Sequence, residues 1–226
     1  MSENDYQPNL FKRATAEFLG TAFLLAVVVG SGIMGEKLAN GNEALALLAN
    51  SLATGSGLVF LILTFAPVSG AHFNPVVTLS GFLQRNISLS ETLLYSLMQI
   101  CGAFVGTATA NVMFELPLFF ASGKIRTGSA QVFSEFLATF GLLAVILSIV
   151  RFRVSVAPFA VAAYITSAYW FTSSTSFANP AVTLARTMTD TFAGVRAVDA
   201  APFIIAQFAG AITAVFLFRW LLEEEK

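Results

Sequence analysis

The pattern Asn-Pro-small-Val-Thr-Leu occurs twice, at Asn74–Leu79 and at Asn179–Leu184, in a chain whose surroundings are almost entirely membrane-like. Proline removes a backbone donor and biases the residue before it away from α, so each Asn-Pro marks a helix start rather than a helix interior. A polar, broken backbone is tolerated at membrane depth only where protein buries it or where it lines a wet cavity. Two such breaks in corresponding places point to a pore or substrate site between two repeats.

The rest of the sequence supports a membrane setting. Of 226 residues, 56% are hydrophobic and 11% are charged. A soluble domain carries a charged fraction of roughly 25%. Apolar runs at 14–35, 44–66, 90–114, 128–150, 155–173 and 199–222 are long enough to span a bilayer. The segments after the Asn-Pro pairs, 75–83 and 180–188, are too short to cross and read as re-entrant half helices. The expected fold is therefore an all-α membrane protein with six transmembrane helices and two half helices, forming one channel domain over 1–226.

The halves resemble each other. Ala16–Val27, with Glu17-Phe18-Leu19, matches Ser134–Val145, with Glu135-Phe136-Leu137. Gln99-x-x-Gly102-Ala103 matches Gln207-x-x-Gly210-Ala211. This places a first repeat at 12–115 and a second at 128–222. Three spans per half is an odd number, so the second half enters from the opposite side and the repeat is inverted. Met1–Leu10 reads as a cytoplasmic tail rather than a signal peptide, and the acidic end Glu223–Lys226 as a solvated tail. With both termini inside, Lys12, Arg13, Arg85, Arg151, Arg153, Arg219 and Lys226 are cytoplasmic, against Lys37, Lys124, Arg126, Arg186 and Arg196 outside. That bias favours termini inside a cell membrane.

Half helices entering from opposite faces bring their N-termini together near the midplane. Each N-terminus carries partial positive charge and unsatisfied N–H groups. Asn74 and Asn179 would stand there, each capping its own helix through the side-chain carbonyl and turning amide N–H groups to the lumen. Hydroxyl-bearing molecules would find donors, and cations a positive barrier. Glu17 and Glu135, inside apolar spans, are candidates for proton coupling. Their paired placement favours a structural reading, as acceptors for the N–H groups of the re-entrant loops, and Gln99 and Gln207 are read likewise. His72 is the sole histidine; a neutral pore-lining hydrogen-bond partner is preferred over a pH-sensitive gate. The sole cysteine, Cys101, is expected as a small apolar residue in a helix interface. Gly55-x-Gly57, Gly102-Ala103-x-x-Gly106 and Gly210-Ala211 suit close helix crossings. No phosphate loop, zinc pattern or nucleophile elbow occurs, so no enzyme activity, cofactor or metal is expected. A net charge of -1 gives no nucleic-acid footprint.

Glu17-Phe-Leu-Gly-Thr, Ser69-Gly-Ala-His-Phe-Asn74-Pro75, Glu135 and Asn179-Pro180-Ala181 resemble the major intrinsic protein family of aquaporins and aquaglyceroporins over residues 12–220. The resemblance implies one pore per subunit, a bilayer location, small neutral solutes as cargo and a homotetramer. The first family motif usually ends in Ala, where this chain has Val76. The second is usually followed by Arg, where this chain has Val182. In the family that Arg forms an outer constriction with three other side chains. Carried over without gaps, those three fall on Thr54, Ser167 and Ser176. A filter of Thr54, Ser167, Ser176 and Val182 would be wide, uncharged and mildly polar, without a large ring. The chain also resembles bacterial channels of this family associated with arsenic resistance. That resemblance implies As(OH)3 and Sb(OH)3 as cargo, with glycerol, urea and water besides. A water-selective channel, a proton-coupled transporter and a closed junction protein are the alternatives.

Overall fold

A computed structural model describes residues 7–223, so the polar ends at 1–6 and 224–226, with Lys226, lie outside the described residues. The helices are α1 (Leu10–Leu38), α2 (Glu43–Ser69), α3 (Pro75–Leu83), α4 (Leu89–Met113), α5 (Ser129–Phe152), α6 (Ala157–Phe171), α7 (Pro180–Ala185) and α8 (Ala197–Leu221). Short 3-10 turns precede α6 at Val154–Val156 and follow α7 at Arg186–Met188. Six of these segments are long and apolar enough to cross a membrane. They agree with the six expected spans to within a few residues at each end, and α3 and α7 are the two short pieces.

Local chemistry sets the helix starts. Asn9, Asn42 and Ser88 each accept a backbone N–H of the first turn of α1, α2 and α4. Ser88 and Glu91 complete a reciprocal capping box. α3 and α7 both start with Pro after an extended Asn, where the missing N–H costs nothing.

The pairings of the two halves correspond: α1 packs on α4 and α5 on α8, while α2 meets α6 across the molecule. Small residues bring the backbones together. A Cβ on Gly102 or Gly106 would overlap the α1 carbonyl of Phe18 or Ala22, and one on Gly210 would overlap that of Phe136 on α5. Gly55 abuts Thr166 of α6, and Gly57 abuts Val27 of α1.

The distribution of polarity suits lipid rather than water. Phe11, Ile205 and Phe216 are exposed at 78%, 71% and 62%, while Glu17, Gln99, Glu135 and Gln207 are fully buried. Cys101 departs from expectation. It is exposed, in a row with exposed Leu97 and Val105 at four-residue spacing. The face of α4 that enters the helix interface is instead that of Gln99, Gly102, Ala103 and Gly106.

Candidate functional site: a pore at two head-to-head half helices

The loops before α3 and α7 have the same backbone shape. Gly70, Ala71 and Phe73 have φ of 88°, 51° and 50°, and Thr175, Ser176 and Ala178, at the same distances from their Asn, have 62°, 52° and 47°. A left-handed conformation costs roughly 1–2 kcal/mol for each residue bearing a Cβ, so something must hold these loops. Two buried carboxylates do. Glu17 Oε1 accepts from Ser69 Oγ at 2.6 Å and His72 N at 2.9 Å, and Oε2 accepts from Phe73 N at 2.7 Å and Gln99 Nε2 at 2.8 Å. Glu135 Oε1 accepts from Phe177 N at 2.8 Å, and Oε2 accepts from Ala178 N at 2.8 Å and Gln207 Nε2 at 2.6 Å. Each glutamine also donates to the threonine of its half helix, Gln99 to Thr78 at 2.9 Å and Gln207 to Thr183 at 2.8 Å.

The two asparagines join the half helices. Asn74 Oδ1 accepts from Val76 N at 3.1 Å, while its Nδ2 donates across to Ala178 O at 2.8 Å. Asn179 Oδ1 accepts from Ala181 N at 3.0 Å and Val182 N at 3.3 Å, while its Nδ2 donates back to Phe73 O at 2.8 Å. Each Asn therefore binds the residue preceding the other. The expected cap is present, but only part of each amide is free for the lumen. Of two N–H bonds per amide, one is used in the clasp and one remains.

A cavity of about 1560 Å3 passes this junction and is lined by both asparagines. It reaches Gln84, Arg151 and Arg219 beyond the C-terminal end of α3, and Arg186 at that of α7. Its walls are apolar rows at four-residue spacing: Thr54, Leu58 and Ile62 on α2, and Val161, Ile165 and Tyr169 on α6. Neither Glu17 nor Glu135 is among its lining residues. His72 lines it, with Nδ1 3.1 Å from Thr78 Oγ1 and its ring 5.5 Å from that of Tyr95. Thr78 Oγ1 also accepts from Gln99, which ties the imidazole to the same anchoring network. Phe177 takes the place of His72 in the second loop, 5.4 Å from Phe203.

At the α7 end, Thr54, Ser176 and Val182 line the cavity. Thr54 Oγ1 lies 3.2 Å from Tyr169 Oη. Arg186 lines it too and is 2% exposed. Its Cζ stands 3.4 Å over the Phe177 ring, and its Nε donates to Ala193 O. Arg126 approaches the same ring at 5.2 Å, but its guanidinium nitrogens are engaged with Gly194 O, Ser174 O, Thr175 Oγ1 and Phe192 O, and its backbone N with Asp199 Oδ2.

The model of the family described as major intrinsic protein matches residues 6–171. The chain is 51% identical over 215 residues to aquaglyceroporin AqpS of Rhizobium meliloti, covering 95% of this chain and 92% of that one. The chain belongs to the major intrinsic protein family. Aquaporin TIP1-2 of Musa acuminata is 35% identical over 141 residues, which cover 60% of this chain and 56% of that protein. The X-ray structure of the aquaglyceroporin from Plasmodium falciparum shares the fold, with a TM-score of 0.72 and 24% identity over 94% of this chain and 95% of that one. The protein is thus a multi-pass membrane channel of the aquaporin type for small solutes, not an enzyme.

Three expectations carried over from the family require correction. Ser167 does not line the cavity. It is exposed, and its hydroxyl donates to Tyr164 O at 2.8 Å on its own helix. At 3.6 residues per turn, a residue two positions from both Ile165 and Tyr169 falls on the far side of α6 from the row they form. The α7 end is not free of large rings, because Tyr169 occupies the place expected for serine. Nor is it uncharged, because Arg186 lines it. One signal could have exposed Arg186. Gly81 lines the cavity seven residues after Asn74, and Arg186 holds the same register after Asn179. A Cβ on Gly81 would lie 3.7 Å from His72 Cε1, just as Arg186 reaches Phe177.

Proposed function

We propose that the channel passes small uncharged, hydroxyl-bearing solutes by diffusion along their gradients, polyol-like As(OH)3 and Sb(OH)3 among them, together with glycerol, urea and water. The observation that carries this reading is the reciprocal asparagine clasp on a continuous cavity. It leaves one amide N–H of each Asn beside two helix N-termini. These donors offer a neutral oxygen a replacement for water, while the positive ends of the helices oppose cations.

Asn74 and Asn179 form the central constriction in this reading. Thr54, Ser176 and Val182, with Tyr169 in place of Ser167, form the outer one, and His72 serves the inner vestibule as a neutral hydrogen-bond partner. Val182 is the feature favouring bulkier solutes over water alone, since an isopropyl group is small and carries no donors there. Glu17 and Glu135 act as anchors. A proton-coupled transporter would need them open to the lumen, yet both are fully buried and hold backbone N–H groups.

The matched anchors, loops and clasp support repeats at 12–115 and 128–222 in one domain. The basic residues support both termini on the cytoplasmic side of the cell membrane, and the family supports a homotetramer. Stopped-flow uptake in proteoliposomes tests the reading with water, glycerol, urea and As(OH)3 side by side. All four should enter above the protein-free background. Water flux alone would replace this reading with a water-selective channel.

A further inference from the structure

We propose that Arg186 is the specificity-determining residue of the outer vestibule: the free N–H groups of its guanidinium hold the oxygens of a neutral solute, and its charge turns cations away. The proposal rests on the channel reading above and deepens it.

The bonding of Arg186 carries the inference. A guanidinium has five N–H donors. Arg186 uses one, from Nε to Ala193 O. The four on Nη1 and Nη2 have no protein acceptor among the described residues, and no carboxylate there pairs with the charge. A side chain that is 2% exposed is not left this way by ordinary packing. Buried guanidinium groups are normally paired and hydrogen-bonded. Arg126 shows the ordinary case beside the same Phe177 ring, with every guanidinium nitrogen bonded to a backbone carbonyl or a hydroxyl and no place among the cavity-lining residues. Arg126 is a staple for the loop. Arg186 borders the cavity with spare donors.

The mount of Arg186 is rigid. Its Cζ lies 3.4 Å over the Phe177 ring, its Nε is fixed to Ala193, and its own carbonyl accepts from Val195 N at 3.2 Å. The Phe177 backbone is in turn held by Glu135. A planar donor fork fixed at one edge presents its other edge in a constant orientation, as recognition of several oxygens on one small molecule requires. Tyr169 and Thr54 line the same cavity, and their hydroxyls lie 3.2 Å apart. A guanidinium and two hydroxyls bordering one cavity suit a solute with several hydroxyl oxygens and no charge of its own. A cation would meet a positive group that no carboxylate among the described residues neutralises on the cavity wall.

The test compares wild type, Arg186→Leu and Arg186→Lys in proteoliposomes at equal protein density, reading glycerol flux, water flux and potassium leak. Leucine removes both donors and charge. The glycerol-to-water ratio should fall roughly three- to tenfold, the size of one neutral hydrogen bond, and a potassium leak should appear. Lysine keeps the charge without the planar fork, so potassium should stay excluded while the ratio still falls. A merely structural role would lower both fluxes together and leave the ratio unchanged. A leucine variant that keeps its oligomer and melting temperature, with wild-type ratio and no leak, overturns the proposal while wild-type conduction sustains the channel reading. Should the leucine variant fail to assemble, the lysine variant decides, and an unchanged ratio there overturns the proposal. Wild-type vesicles with no glycerol flux above background would overturn the channel reading and this proposal with it.

Discussion

Replacing Glu135 by Gln changes one oxygen into an NH2 group, and the surroundings accept no donor at either position. Oε1 faces Phe177 N, and Oε2 faces Ala178 N and Gln207 Nε2, all three within 2.6–2.8 Å. The better orientation of the new amide keeps its carbonyl toward Ala178 and Gln207 and turns its NH2 onto the Phe177 N–H. One charge-assisted bond is lost, worth about 1.5–3 kcal/mol, and a buried N–H is orphaned at a further cost of about 1–3 kcal/mol. The two remaining bonds also lose their charge assistance. The loop they hold includes left-handed Thr175, Ser176 and Ala178, which resist that shape by roughly 1–2 kcal/mol each. A total near 3–6 kcal/mol is a large share of the stability of any domain. Glu135→Gln should therefore melt well below wild type in detergent and assemble poorly, without acquiring any dependence of flux on a proton gradient. A variant with wild-type melting temperature and glycerol flux would refute the anchoring role. One that folds but uncouples flux from a proton gradient would point to transport through this carboxylate.

Asn74→Asp should weaken the clasp, because a carboxylate cannot donate to Ala178 O, and should admit cations by placing negative charge between the two helix N-termini; potassium conductance in planar bilayers measures it, and an unchanged conductance contradicts the barrier assigned to this junction. Val182→Arg should restrict the cavity it lines, lowering As(OH)3 and glycerol flux much more than water flux; an unchanged ratio in a folded variant removes Val182 from the constriction. Lys124, in the loop before α5, has its pKa lowered to about 8 by burial first and by the neighbouring Arg126 second. Because the folded chain then binds fewer protons than the unfolded one between about pH 8 and the ordinary value of 10.5, this lysine destabilises the fold below pH 8 and ceases to do so as pH rises. Its labelling by an amine reagent, followed by mass spectrometry, should be half-maximal near pH 8, and a midpoint above pH 10 contradicts its buried setting.

The parts of the fold that the sequence disclosed are those fixed by local chemistry. Proline at Pro75 and Pro180 can only start a helix there, and the short pieces that follow cannot span. Glu17 and Glu135 were legible because a carboxylate in an apolar span must find donors, and the Asn-Pro loops were the candidates for supplying them. The cross-bonding of Asn74 and Asn179 depends on how two distant segments meet, which spacing along the chain does not encode. Ser167 was misplaced because a count of residues from the family's motifs took no account of which row of α6 faces inward; the row of Val161, Ile165 and Tyr169 does. Arg186 was missed because its partner in register, Gly81, has no side chain to signal that the position faces the cavity. Cys101 departs from its expected place because small size and low polarity do not say which face of α4 a residue joins, and its row with Leu97 and Val105 is an outward one.

The central claim is passive passage of neutral solutes between the clasped half helices. The most direct measurement is the initial rate of glycerol uptake into proteoliposomes as external glycerol is raised, with no ion gradient present. A pore that needs no conformational cycle per molecule should give a rate that stays close to linear, with a low activation energy. Saturation at low concentration, or uptake that appears only when a proton or sodium gradient is imposed, would contradict it.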